Sequence, residues 1–496
     1  MKQTKYDRER LLFRRQFILG PRFVEGFQTW NRLSVRPSIC LTTHPDLPAH
    51  QARSGDISLL LLGYILDPYR PQATDADIIN RLLAYLEAGG TLESLIRLTS
   101  PFGGRWILVV DNGQAVSLFN DPTGYRQVFY SCTGSHGLWC ASQPGLLAQV
   151  LNLPVDEEAL AFIRNYQKRE PQYYWPGDSS LYKEVRHLLP NHFLDLETGA
   201  CHRYWPTHDL TMRPLEQVVK ENTELLQGLI ESASHRFELA LSITAGRDTR
   251  LLLAASKAVR DRLYCFTMMY WDLNSDSPDI QIPSRLLSRL GLPHHVIRCP
   301  SRMEPDFDEI YRQNVTTARA IYGTIAQGLY NQYPSDRTCM KGNAMEIAKS
   351  QYRADLQNRQ PGADKGRIDP QTLAWLTRRE DEFAIEAFDR WLSRVNQTNV
   401  DVLDLFRWED REGNWQAMSQ CEWDIVYEVF VPYDCRLFLA NMLSVPARFR
   451  AAPSYALQEQ MILHLWPDLL SEAVNPPVTR NAMSGARKLL RRIGRK

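Results

Sequence analysis

The segment Leu239-Ala-Leu-Ser-Ile-Thr-Ala-Gly-Arg-Asp-Thr-Arg250 gathers residue types suited to holding an anion. An apolar run stops at a small, hydroxyl-rich turn and opens into a helical stretch, LLLAASKAV. A turn of that kind aims backbone N–H groups and the positive end of a helix dipole at negative charge. Thr244 and Thr249 add hydroxyl donors, and Gly246 lets the backbone approach a phosphate closely. Asp248 could help hold the magnesium ion that accompanies ATP. The same residue types also cap ordinary helices, so a plain helix cap is the alternative for the turn taken alone.

The elements that must position this turn follow from the apolar pattern. In the first half, short apolar runs alternate with turn signals at 57–66, 105–121, 126–131 and 136–142, the pattern of strands and hairpins. Helices are predicted over about Asp75–Ala88 and near Asp156–Asn165. The stretch 192–206 reads as two short strands around a Glu-Thr-Gly turn, and 207–214 has the polarity of a linker. Beyond it, apolar residues at Val218, Leu225, Leu226, Leu229 and Ile230 predict a helix over 214–234. Strand, loop and helix follow at 239–259, then a strand at 263–269, a helix around Ile280–Leu290 and a strand at 294–299. Strands alternating with helices indicate a parallel sheet covered on both faces. From about Asp306 to Leu470 the chain reads as mostly helical, and no internal repeat is visible.

Composition sets the outer limits. The chain has 496 residues, 44% hydrophobic and 23% charged, the balance of globular domains rather than of a disordered chain. The formal net charge of +1 hides an asymmetry. Six of the last ten residues are basic (Arg487, Lys488, Arg491, Arg492, Arg495, Lys496), so removing them leaves a body at minus five. The body is therefore no nucleic-acid binder by charge. The tail could lie on an anionic membrane surface, contact nucleic acid or be a solvated end. No apolar run reaches the roughly 20 residues that span a bilayer, and the start lacks the apolar core of a secretory signal, so a cytoplasmic location is expected. Nine scattered cysteines with no CxxC pair read as reduced packing residues.

The turn resembles the pyrophosphate-binding Ser-Gly-Gly-x-Asp-Ser motif of the asparagine synthetase family, with Thr244, Ala245, Gly246, Arg247, Asp248 and Thr249 in the six places. Ala245 replaces a glycine. The block 263–297 resembles the family's strand, acidic loop, helix and His-His unit, which puts the backbone of Phe266, Thr267 and Met268 near adenine. Lys341-Gly-Asn-Ala-Met-Glu-Ile-Ala-Lys-Ser-Gln-Tyr352 resembles the second acidic loop, with Gly342 retained and Glu346 in the place of a metal-binding aspartate. Tyr427–Tyr433 and Leu443–Pro446 look like two further family segments. The resemblance implies an α/β protein: a 1–206 glutaminase-like domain of Ntn-hydrolase type, an αββα sandwich, then a 207–480 ATP-binding domain of PP-loop type with a parallel sheet and many helices, then a 481–496 basic tail. β-Lactam synthetases and lasso-peptide cyclases are related.

Such enzymes attach AMP to a carboxylate, expel pyrophosphate and let an amine attack. The resemblance implies ATP and magnesium as requirements, with Asp248 and Glu346 on the metal. The substrates would be a small-molecule, peptide or sugar carboxylate and ammonia or an amine, with a homodimer left open. Glu428 occupies the position of a glutamate that assists proton transfer, or forms a structural ion pair. Asn343 aligns with the family's base, yet an amide cannot accept a proton at neutral pH. The family's transition-state lysine has no match in Val474–Arg480, where Arg480 could substitute or Lys488 fold back. The amino-terminal domain keeps Phe102–Asp111, Asn120–Tyr130, His187–His192 and Arg203–Trp205 in the family pattern. Glutamine hydrolysis there needs a cysteine after the initiator methionine, where this chain has Lys2, and an oxyanion asparagine, where it has Leu62-Gly63-Tyr64. The domain is expected to lack glutaminase activity.

Overall fold

The computed structural model describes residues 5–131, 137–359 and 368–476. Residues 17–203 form two six-stranded antiparallel sheets. Their strands are β1 (Phe17–Gly20), β2 (Asn31–Arg36), β3 (Ile39–Thr43), β4 (Ala49–Ser54), β5 (Ile57–Leu66), β6 (Gly103–Asn112), β7 (Val116–Asn120), β8 (Phe129–Ser131), β9 (Cys140–Ala141), β10 (Val185–His187), β11 (His192–Asp195) and β12 (Cys201–Arg203). One sheet runs β10-β8-β9-β1-β3-β2 and the other β12-β11-β7-β6-β5-β4.

Side-chain alternation along β5 explains how the layers stack. Leu60 and Leu62 point between the sheets, onto Phe17, Leu19 and Leu41 of the facing sheet. Leu59 and Leu61 point the other way, onto Ile78, Ile79 and Leu82 of the helix Asp75–Glu87. The far face of the first sheet, through Ile18, Phe129 and Ala141, is covered by Leu146 and Leu147 of the helix Pro144–Leu151. The result is a helix–sheet–sheet–helix stack. The helix Asp75–Glu87 starts where Thr74 and Asp77 exchange backbone and side-chain hydrogen bonds, each satisfying an otherwise orphaned N–H.

The second half is built on a five-stranded parallel sheet, order β15-β14-β13-β16-β17, from β13 (Glu238–Ser242), β14 (Tyr264–Met269), β15 (His295–Arg298), β16 (Arg337–Met340) and β17 (Val429–Phe430). Sequence order runs outward from β13 to β15 on one side and from β16 to β17 on the other. That makes the gap between β13 and β16 the point where the winding reverses, the place where ligands gather at the carboxyl ends of open parallel sheets. The helix Leu215–Arg236 flanks the sheet. A continuous helix, Val402–Trp423, crosses its carboxyl edge and widens to π-helical geometry over Arg407–Gln416.

The expectation of a mostly helical stretch from about Asp306 to Leu470 left out β16 and β17, which have four and two residues. Before residue 57, where no strand was expected, lie β1–β4. None of the described helices is long and apolar enough to cross a membrane.

The halves meet across a buried ionic seam. Arg105, on β6, donates to Asp424 at 2.8 Å and to Glu428 at 3.1 Å. Arg126 reaches the other oxygen of Glu428 at 3.0 Å, and Arg15 lies 3.6 Å from it. Arg203 forks onto the fully buried Glu409. Tyr64 donates its hydroxyl to the Val429 carbonyl at 2.6 Å. Gly63, beside it, has φ +86°, and any Cβ there would lie 2.1 Å from the Arg105 carbonyl oxygen. At the chain's start, Lys5 and Tyr6 bind Glu304 of the second half.

Candidate active site

β13 ends at Ser242, and the chain turns through Thr244, Ala245 and Gly246 into the helix Arg247–Ala255. The turn is shaped by its own hydroxyls. Thr249 Oγ1 accepts from the Thr244 amide at 3.1 Å, and Thr244 Oγ1 accepts from the Gly246 amide at 3.1 Å. Neither hydroxyl caps the helix, whose N-cap is Gly246 with no side-chain acceptor. The helix thus starts without a side-chain cap, as do Leu215–Arg236 and Ala320–Gln332 among the described helices. Asp279 takes the Ala245 amide at 3.0 Å, so one loop N–H already holds a carboxylate.

A cavity of about 280 Å³ opens beside the turn. Its walls come from the carboxyl ends of three adjacent strands: Ser242, Thr244, Gly246, Asp248 and Thr249 after β13, Met268, Tyr270 and Trp271 after β14, and Lys341, Gly342 and Asn343 after β16. The crossing helix closes it with Trp415, Gln416, Ser419 and Trp423, and Gln172 and Tyr322 complete the wall. A Cβ on Gly342 would come within 3.2 Å of the Thr249 amide nitrogen, so the β16 turn presses against the first turn of the helix Arg247–Ala255.

Of the residues expected to bind nucleotide, Thr244, Gly246, Asp248, Thr249, Met268 and Gly342 line this cavity. Four do not. Ala245 is buried beneath the turn, and Arg247 lies over the Tyr455 ring at 4.5 Å. The Phe266 side chain is in the core, and its carbonyl accepts from Ile243. The Thr267 hydroxyl donates to the Ile243 carbonyl at 2.6 Å and contacts His294 at 2.8 Å. Arg480, Lys488 and the basic tail lie outside the described residues. The last described stretch does reach the turn, since the Asn475 amide donates to the Ala245 carbonyl at 3.1 Å.

Two expectations need correction. Glu428 does not line the cavity, being held in the seam under three guanidinium groups. Burial alone would raise its pKa, but Arg126, Arg105 and Arg15 override it and hold the carboxyl at about 2. A carboxylate so held is a poor proton acceptor, and its position is that of a structural ion pair. The second correction concerns the metal. Asp248 Oδ2 holds Lys349 Nζ at 2.6 Å, and Glu346 is paired with Arg407. Among the described residues no group of three or more His, Cys, Asp or Glu is placed to hold a metal ion. These side chains do not fit a protein-held magnesium centre, because each proposed ligand already faces a fixed cation.

Sequence reasoning gave no role to Lys341, Lys349 or Asp279. Lys341 is the more informative. It is 4% exposed and is one of the residues lining the cavity, with its Nζ donating to Gln420 Oε1 at 3.1 Å and lying 3.3 Å from the centre of the Trp423 ring. A lysine immediately after an apolar strand and before a glycine was the available signal.

No protein-family profile matches the sequence, and no curated protein matches it. Among solved structures, 63% of this chain aligns with 90% of glutamine phosphoribosylpyrophosphate amidotransferase from B. subtilis, determined with ADP and GMP. The identity is 9% and the TM-score 0.23, a likeness too low to carry an argument.

Proposed function

We propose that this chain is an ATP-dependent, AMP-forming amide ligase of asparagine synthetase type, whose amino-terminal sandwich serves as a scaffold rather than a glutaminase. The observation that carries the reading is the uncapped Thr244–Thr249 turn at the winding reversal of a parallel sheet, opening on a cavity it shares with the Lys341-Gly342-Asn343 turn. First-turn amides, the two threonine hydroxyls and the helix dipole form a cradle for phosphate oxygens. The apolar surface of Met268, Tyr270 and Trp271 is suited to a base or to an acyl group.

In this reading a substrate carboxylate attacks the α-phosphorus of ATP, pyrophosphate leaves, and the acyl-adenylate is attacked by an amine. Stabilisation of the departing pyrophosphate falls to the turn. The sandwich contributes the seam, where Tyr64, Arg105 and Arg126 position β17 and the end of the crossing helix. Leu62, in the place of the asparagine that glutamine hydrolysis would need as oxyanion donor, packs between the two sheets and carries no donor.

A second reading, a nucleotide-binding scaffold without catalysis, is favoured by the Lys349–Asp248 pair and by Asp279 on the loop amide. Pyrophosphate exchange decides between the two. Purified protein, ATP, magnesium, labelled pyrophosphate and a panel of carboxylic acids should give acid-dependent exchange that Thr249→Val sharply lowers. ATP binding without exchange for any acid supports the scaffold, and absence of ATP binding removes both readings.

A further inference from the structure

The amine that attacks an activated carboxyl must lose a proton, and the cavity wall offers few groups to take it. Its titratable members are Asp248, Tyr270, Tyr322 and Lys341. Asp248 is engaged by Lys349. Burial pushes both phenols up, Tyr322 to about 12, so neither ionises near neutrality.

Lys341 differs from Arg105, Arg319 and Arg379, and also from Arg250, a buried guanidinium without a carboxylate whose donors meet three backbone carbonyls. Arg105, Arg319 and Arg379 each fork onto a buried carboxylate, Asp424, Glu422 and Asp410 respectively. Among the described residues no carboxylate lies within 4 Å of Lys341 Nζ; its neighbours are the Gln420 amide oxygen, the Trp423 ring and, at 5.6 Å, the Tyr427 ring. An ammonium group has three N–H donors, and here one acceptor meets them. A neutral amine fits the site better, with its lone pair left for a proton.

Resting on the ligase reading, we propose that Lys341 is the general base of the amide-forming step. The amine nitrogen bonds to the carbonyl carbon of the acyl-adenylate, and the carbon–oxygen bond to AMP breaks. The proton released by that nitrogen goes to the Lys341 lone pair.

The surroundings suit both states of such a base. Burial disfavours the ammonium and lowers the pKa to about 7. The charges packed around it come from several elements. Cys339, two residues back, has a thiol pushed up by burial to about 11 and stays uncharged. Glu422 and Asp424 favour the ammonium but are bound to Arg319 and Arg105, and Arg105 itself disfavours it. Once the proton has arrived, Gln420 and the π face of Trp423 stabilise the cation. The Gly342 contact with Thr249 places this base one residue from the phosphate-loop helix.

The test separates proton acceptance from fixed charge and from packing. Lys341→Met should lower amide formation by roughly 10²- to 10⁴-fold more than it lowers ATP–pyrophosphate exchange. Lys341→Arg should lose amide formation equally, because a guanidinium does not deprotonate. The deficit of Lys341→Met should shrink with hydroxylamine, which is already neutral at pH 7, compared with ammonia. Trace labelling of the intact protein with acetic anhydride across pH, read by mass spectrometry, should show Lys341 reacting with a midpoint near 7.

Activity retained by Lys341→Arg would make the residue a fixed cation and overturn the proposal. Equal loss of exchange and amide formation in Lys341→Met would make it a binding residue. A labelling midpoint of an ordinary lysine, in protein that exchanges pyrophosphate, would sink the base alone. No exchange by the unaltered protein with any acid would remove the ligase reading and the base with it.

Discussion

Two charged clusters lie at opposite ends of the adjacent strands β16 and β17 and serve different purposes. Around Glu428, at the start of β17, every charge has a partner: Arg105 with Asp424 and Glu428, Arg126 with Glu428, and Arg15 close by. At the carboxyl end of β16, Lys341 is buried without a carboxylate, and Asp248 leaves Oδ1 with no hydrogen-bond partner. A buried network in which each charge faces an opposite charge fixes geometry and gives up reactivity, whereas a buried charge without a counter-charge is costly and available. The comparison teaches that residue type alone does not mark a catalytic group. Glu428 has the chemistry of a base but not the environment, and Lys341 has the environment.

Disrupting the seam should cost the most. Replacing Arg105 with Met would strand Asp424 and part of Glu428 in a buried setting, and the loss in unfolding free energy should be about 3–5 kcal/mol, read by urea denaturation. A loss below about 1 kcal/mol would mean that the seam is as weak as a surface ion pair. The seam also sets an acid limit. Because the Glu428 carboxyl is held at about 2 in the folded chain against an ordinary value near 4.5, its contribution is complete above about 4.5. It should fade as pH falls from there through 2, a trend that Glu428→Gln should flatten in acid unfolding curves.

The opposite sign is expected in the cleft. The folded-state pKa of Lys341 is lowered from 10.5 to about 7, so the folded chain binds fewer protons than the unfolded chain between those values. Stability from this group therefore rises with pH across that window, and at pH 7 and below the lysine is a net cost. Lys341→Met should raise unfolding free energy by about 1 kcal/mol at pH 7, with the gain vanishing above pH 10. Destabilisation at pH 7 would place Lys341 among the structural cations and erase the contrast.

The smallest effect concerns Lys349. Its pair with Asp248 is partly open to solvent, so Lys349→Met should change stability by less than about 1 kcal/mol. The same change frees the Asp248 carboxylate beside the Thr244–Thr249 turn. Magnesium titrations with ATP present should show tighter metal dependence in Lys349→Met than in the parent, and no difference would mean that the pair does not compete with a cation.

The legible parts of the molecule were those carried by local pattern. The strand–turn–helix at 238–255 shows itself through an apolar run that stops at Thr-Ala-Gly, although the helix begins at Arg247, before its apolar stretch. The helix Asp75–Glu87 and the hairpin of β6 and β7 were equally plain, since periodicity and turn residues agree there. β16 and β17 were hidden because four- and two-residue strands buried on both faces carry no alternation. Glu428 was found at its place in the chain, but its direction depends on Arg105 and Arg126, more than 300 residues away in sequence. Lys341 was passed over for a related reason. Its burial comes from Gln420 and Trp423 on a helix that only the tertiary fold brings across the strand ends.

The central claim is that the Thr244–Thr249 turn supports transfer of AMP to a carboxylate. The most direct measurement uses an acid that supports pyrophosphate exchange, labelled with ¹⁸O in both carboxylate oxygens, with an amine acceptor and mass analysis of the released nucleotide. Adenylation predicts one labelled oxygen in the phosphate of AMP and none in pyrophosphate; label in inorganic phosphate beside ADP, or AMP without label, would contradict it.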